Sequence, residues 1–251
     1  MGKKDMAMNQ INQIAAVAFY WKGNSSGKSD AEHRPGWDDE ELGIEYVHRL
    51  YRGIMRNCDP TKTTFTLFTN VANISSIHRE IVIEPLDVPS WIGCLPKLKA
   101  HDPDNWFNQF ANNRIVVFDL DTVIVGSLED IFNYDGRFTT RAWFKGINKG
   151  IWLSGGDMLS FRPFQTAWIW ERYIQDPQKV IEFSGGRERY VYRQWCTEID
   201  YWQSVVPGQV VSYKNHIQRT GKLPVGARIV SVHGDPRPHT IRQQWIKEHW
   251  V

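Results

Sequence analysis

Residues 116–125 read VVFDLDTVIV, with Asp119 and Asp121 two positions apart in the most apolar part of the chain. In an extended strand, residues i and i+2 point to the same side. Two unpaired carboxylates held that way between Val and Ile would repel one another and lose hydration. The expectation is a strand over 114–125 that carries the acids at its C-terminal end and frays there. A divalent cation would relieve both penalties, because Mg²⁺ and Mn²⁺ take hard oxygen ligands and are commonly held by one or two carboxylates with substrate phosphates. The edge formed by the carboxyl ends of α/β strands is also where ligands bind. The competing use of the pair is structural: capping the helix expected from Ser127, or pairing with Arg or Lys.

Outward from this segment, IAAVAFY (14–20) reads as a buried opening strand, followed by a long polar loop over 21–40. Ile44, Val47, Leu50, Tyr51 and Ile54 recur at three- and four-residue steps, which predicts an amphipathic helix over 42–57. TFTLFTN (64–70) and REIVIEPL (79–86) read as strands, and 91–100 and 105–110 as short helices. After the acidic pair, SLEDIFNY (127–134) reads as a helix with Glu129 and Asp130 in its first turn. GIWLSGGDMLSFRP suggests two short strands broken at Gly155-Gly156, and 164–176 a helix ended by Asp-Pro. CTEIDYWQSVV (196–206) reads as another helix, and 208–217 and 227–236 each hold a strand. GGRERYVYRQ reads as a solvated basic face that could close over phosphate. Strands alternating with helices give an α/β fold with a mostly parallel central sheet flanked by helices. Residues 1–13 are expected to be a flexible leader and 14–251 a single domain.

The bulk numbers bound the function. Apolar residues make up 41% and charged residues 23%, the balance of a soluble globular protein. A net charge of +2 gives no electrostatic reason to expect nucleic acid as a partner. No apolar h-region or membrane-length run is visible, so neither a signal peptide nor a transmembrane segment is expected. Three cysteines, with no CxxC pair, suit a reducing, cytoplasmic compartment. Oligomeric state has no sequence signal.

Two families place Asp-x-Asp after such a strand. VFDLDTV resembles the signature of the haloacid-dehalogenase phosphatases, in which the first Asp is the nucleophile and the second an acid/base. That signature opens its domain and is followed by a Gly-Asp-x-x-x-Asp element, which is absent here. The fuller resemblance is to the GT-A fold nucleotide-sugar glycosyltransferases of the family-8-like, glycogenin-related group. IVVFDLDTVIVGSLEDIF is similar to their DxD segment nearly residue for residue. LPKLKAH, WLSGGDMLSF, EIDYWQSVV and IVSVHGDPRPH follow in the family's order, from about Ala15 to His239.

This resemblance implies a single GT-A (Rossmann-like) domain. It also implies a metal-dependent transferase moving a sugar, with retained anomeric configuration, from a nucleoside-diphosphate sugar such as a UDP-sugar to a glycan or other acceptor. It implies Mn²⁺ or Mg²⁺ held by Asp119, Asp121 and His233. Lys97, Gly234 and Arg237 would lie at the donor diphosphate and Tyr20 at the base. Asp157 and Asp200 are the candidates at the sugar, with Trp152 and Ser154 lining its pocket. The chain departs from the family at Ile199, which stands where the family has Gln, and in the compact HGDPRP, where Arg replaces Lys. An apolar Ile199 keeps open a third reading, a nucleotide- or glycan-binding domain without turnover.

Overall fold

The computed structural model describes residues 13–22, 40–71, 74, 77–106, 113–147 and 149–251. The 21–40 loop, the leader before Gln13 and the helix expected beyond Trp106 therefore lie almost wholly outside the described residues. Strand β1 (Ile14–Tyr20) is followed by helix α1 (Glu40–Met55), β2 (Thr63–Thr69) and β3 (Ile81–Pro85). A 3-10 run over Leu95–His101 leads to β4 (Arg114–Phe118), β5 (Thr122–Ile124), α2 (Glu129–Phe132), β6 (Thr139–Thr140) and α3 (Phe144–Ile147). Then come β7 (Leu159–Phe161), α4 (Ala167–Gln175), α5 (Pro177–Ser184), α6 (Glu188–Trp195), β8 (Asp200–Tyr201), α7 (Trp202–Val205), β9 (Val210–Ser212), β10 (Ile229–Ser231) and α8 (Gln244–His249).

The main sheet has seven strands in the order β3-β2-β1-β4-β7-β6-β8. The β3, β2, β1 and β4 pairings are parallel, β7 is antiparallel to both its neighbours, and β6 and β8 are parallel. Each face of β1 is buried in its own core layer. Ile14, Ala16, Ala18 and Tyr20 face α1, and Ala15, Val17 and Phe19 face the 3-10 run and α4–α6. That two-sided burial is why IAAVAFY reads as an unbroken apolar run rather than an alternating one.

The expected strand over 114–125 is two strands in two sheets. β4 ends at Phe118, the chain turns through Asp119-Leu120-Asp121, and the Thr122 N–H donates to the Asp119 carbonyl at 3.0 Å. β5 then leaves the main sheet and pairs with β10 in a three-stranded sheet, β5-β10-β9. The helix expected over 196–206 is corrected too. Residues 196–199 are irregular, Asp200–Tyr201 form strand β8, whose Asp200 N–H donates to the Phe138 carbonyl at 3.0 Å, and only Trp202–Val205 is helical. The strand expected over 208–217 stops at Ser212 and gives way to a wide π turn, Tyr213–Ile217.

One buried group makes a pH prediction. His101, with no solvent exposure, has both ring nitrogens hydrogen-bonded, to Thr166 Oγ1 (2.8 Å) and the Tyr192 hydroxyl (3.1 Å). Burial pushes its pKa down to about 3. The folded state thus holds this ring neutral where the unfolded chain protonates it. Its contribution is complete above the ordinary histidine pKa and falls by about 1.4 kcal/mol per pH unit between roughly pH 6.5 and 3. Urea unfolding at about pH 7.5 and about pH 5 should differ by some 2 kcal/mol more in the wild type than in His101→Gln. Equal pH dependence in the two proteins would refute the assignment.

Candidate functional site

The acids of the DLD turn lie at the carboxyl edge of β4. Leu120 turns into the core and leaves Asp119 and Asp121 facing away from it. Each acid holds a cation brought from a distant segment. Lys97 Nζ pairs with Asp119 Oδ1 and, at 3.3 Å, with Glu188 Oε1. Arg237 Nη1 pairs with Asp121 Oδ2, and both side chains are nearly buried. Local sequence explains both deliveries. Pro96 opens a 3-10 run whose Leu95 and Leu98 are buried, which fixes the run and turns Lys97 toward β4. Pro238 follows Arg237, whose N–H donates to Thr240 Oγ1 at 3.1 Å. The next residue, His239, bonds Tyr46 of α1 at 2.6 Å.

Burial pulls the Lys97 pKa down, but Asp119 and Glu188 outweigh it and hold it well above the usual lysine range. Burial raises Glu188, partly opposed by Lys97. Glu188 opens α6, the segment read from sequence as a solvated basic face. Its carboxylate instead turns inward to the site.

His233 follows β10, within electrostatic reach of Asp119 and Asp157. Its Nδ1 is buried with no hydrogen-bond partner among the described residues. Burial, Arg141 and Lys214 depress its pKa against the pull of Asp157 and Asp119, so the ring is neutral near pH 7 and keeps a free lone pair. Gly234 has φ +68, and a Cβ there would lie 3.0 Å from Lys214 Nζ. A side chain at Gly234 would be strained and would crowd that ammonium group. Among the described residues, no three His, Cys, Asp or Glu side chains converge as a metal cage.

The remaining candidates are placed differently from one another. Asp157 is buried and spent. Its carboxylate takes Arg141 Nε at 2.6 Å to both oxygens and Arg141 Nη2 at 2.5 Å, and accepts from Ser231 Oγ at 2.9 Å. Its pKa is lowered because Arg141 outweighs the cost of burial. Gly156 (φ +87) and Met158 (φ 52) flank it in left-handed backbone, which bends the segment and turns Asp157 inward.

Asp200 is level with Val116 in the sheet, through Thr139 and Ser160. It therefore sits three residues short of Asp119 along the strand direction. It accepts from the Tyr134 hydroxyl (2.8 Å) and the Arg137 N–H (3.0 Å). Both catalytic candidates are thus held in structural bonds. Ile199 is half-buried and packs against the core layer under α4–α6. Tyr20 is buried with its ring against Gly43 of α1, where a Cβ would come within 2.5 Å, so the ring presents no face to a base. Ser154 is buried and bridges Ala142, whereas Trp152 is exposed.

Gln203 was missed. Its Oε1 accepts from the Ala142 N–H at 2.9 Å, and its buried Nε2 has no partner among the described residues. The available signal was an amide one turn beyond Asp200 in the otherwise apolar run YWQSVV.

No family model matches the chain, and no curated protein matches it. Among solved structures it is similar to the galactosyltransferase LgtC, solved in complex with donor and acceptor sugar analogues. The TM-score is 0.60 at 8% identity, over 95% of this chain and 96% of that one. The fold is GT-A. The likeness in fold extends over nearly the whole chain. Among the described residues, no helix is long and apolar enough to cross a membrane.

Proposed function

We propose that this GT-A domain is a glycosyltransferase that moves a sugar from a nucleoside-diphosphate sugar, with uridine as the nucleoside, to a glycan or other acceptor. The observation that carries the reading is the pairing of Asp119 and Asp121 with Lys97 and Arg237 at the carboxyl edge of β4. A departing diphosphate needs fixed positive charge, and buried cations preorganised by acids supply it with little reorganisation. Lys97 acts as a compact point charge, and the Arg237 guanidinium can fork onto two phosphate oxygens. The left-handed backbone at Gly234 leaves room for the diphosphate to approach the main chain, with Lys214 behind it. Gln203 Nε2 offers an unspent donor to the sugar. Asp157 supports the site through Arg141 and Ser231, and Asp200 through Tyr134.

Asp119, Asp121 and the orphaned nitrogen of His233 are donors of the kind Mn²⁺ or Mg²⁺ takes, but among the described residues they do not converge as a cage. To hold the ion they would have to draw together, and when bound it would supply Lewis acidity at the leaving diphosphate. Lys97 and Arg237 neutralise the same acids and are the groups positioned to turn toward phosphate oxygens. A GT-A fold sets aside the dehalogenase-type phosphohydrolase. Ile199, an apolar side chain half-buried against the core layer, favours a second reading, a domain that binds the nucleotide sugar without turnover.

Calorimetry with UDP, with and without Mn²⁺, tests the nucleotide site, and UDP release from UDP-hexoses tests turnover. Saturable binding strengthened by Mn²⁺ together with UDP release is the expected outcome. Binding without release would favour the second reading, and no binding would overturn both.

A further inference from the structure

Beside the site, the segment between β6 and β7 carries large aromatic side chains in solvent. Trp143 is 39% and Trp152 41% exposed. Neither is on a loose tether. The Trp143 N–H donates to the Leu153 carbonyl at 2.7 Å, and the Tyr201 hydroxyl donates to the Trp152 carbonyl at 3.2 Å. The Trp152 and Tyr201 rings lie 5.5 Å apart at 46°. Arg193 Nε donates to the Ser154 carbonyl at 2.8 Å, and its guanidinium sits 5.8 Å from the Trp143 ring and 5.3 Å from Tyr190. Arg189 lies over Tyr190 at 5.2 Å, and its Cβ is 2.8 Å from where a Cβ on Gly156 would stand. Among the described residues, no acid pairs with Arg189 or Arg193. The surface is therefore aromatic and cationic, rigidly anchored, and continuous with Ser154–Asp157 at the edge of the candidate site.

We propose that this surface is the acceptor platform, and that it takes an oligosaccharide bearing an anionic group. Trp143, Trp152 and Tyr201 offer ring faces to the apolar faces of the sugar rings. Arg189 and Arg193 meet the sulfate, phosphate or carboxylate. The assignment rests on the glycosyl-transfer reading above, since it gives the second substrate of that same site.

The test is binding of the full chain to a heparin-derived sulfated hexasaccharide and to maltohexaose, its neutral counterpart, by biolayer interferometry. The sulfated sugar should bind at least about tenfold more tightly, and Trp152→Ala and Arg189→Ala should each weaken it about tenfold. Lys62→Ala, an exposed charge at the opposite end of β2, should leave it unchanged. Thermal melts establish that each variant is folded. Equal affinity for the two sugars, no binding at millimolar sugar, a loss in Lys62→Ala as large as in Arg189→Ala, or wild-type affinity in Trp152→Ala would overturn the proposal. UDP calorimetry on the same samples separates the two readings. Hexasaccharide binding without any UDP binding would overturn the acceptor role and leave a glycan-binding surface.

Discussion

Asp121→Asn should weaken UDP binding in Mn²⁺ by about 100-fold, the loss of one charge-assisted contact at a desolvated site. The substitution keeps the shape and one acceptor but removes the charge that would ligate a cation. It also removes a counter-charge of Arg237, which is 7% exposed. Losing one partner of a buried ion pair weakens the compensation of the charge that remains. Unfolding should therefore become easier by about 1–3 kcal/mol, less than for Ala because the amide oxygen still accepts from the guanidinium. The two effects separate in the double variant Asp121→Asn with Arg237→Gln. Its stability should recover toward wild type, because an amide pair carries no buried charge, while UDP binding stays lost. Calorimetry and urea unfolding read the two quantities independently. Unchanged UDP affinity in folded Asp121→Asn would remove Asp121 from the site.

How far these partnerships were legible follows from where the information sits. The apolar run of β1 and the three- and four-residue spacing of α1 are local, and both elements stand within two residues of their expected bounds. The DLD turn was legible as a place where a strand must fray, because charge repulsion is local too. The switch of β5 into a second sheet was not, since VVFDLDTVIV keeps strand character throughout and only β10, about a hundred residues on, decides its pairing. The segment at 196–206 failed for the opposite reason. Its composition suits a helix, but Asp200 pairs with β6 and Ile199 packs against the core layer, so tertiary packing overrides propensity. Asp121 and Arg237 are 116 residues apart, and only a family resemblance brought them together in advance. Glu188 was hidden by its company, since one acid among arginines looks like surface until the fold turns it inward.

The same logic makes Asp157 the most damaging position to change. It was read as a sugar contact, but its carboxylate oxygens are committed to Arg141 and Ser231, all three residues being buried. Ser231 lies on β10 in the small sheet and Arg141 just past β6 in the large one, so Asp157 joins the two sheets directly beneath the His233 turn. Asp157→Ala leaves the Arg141 guanidinium buried without its anion and should cost about 3–5 kcal/mol of unfolding free energy. A double variant, Asp157→Leu with Arg141→Met, should recover most of that loss, because an apolar pair of similar size has no charge to strand. The pH dependence has a definite sign. A carboxylate whose folded pKa is depressed stabilises fully above its unfolded value, and that contribution is lost as the pH falls through the folded one. Denaturation midpoints should therefore drop below about pH 4 in the wild type more steeply than in the apolar double variant. If Asp157→Ala kept wild-type stability and lost only transfer activity, the carboxylate would be a substrate contact after all. The expected result instead is a folding defect that the apolar pair repairs, with the Ser231 hydroxyl left to find a new acceptor.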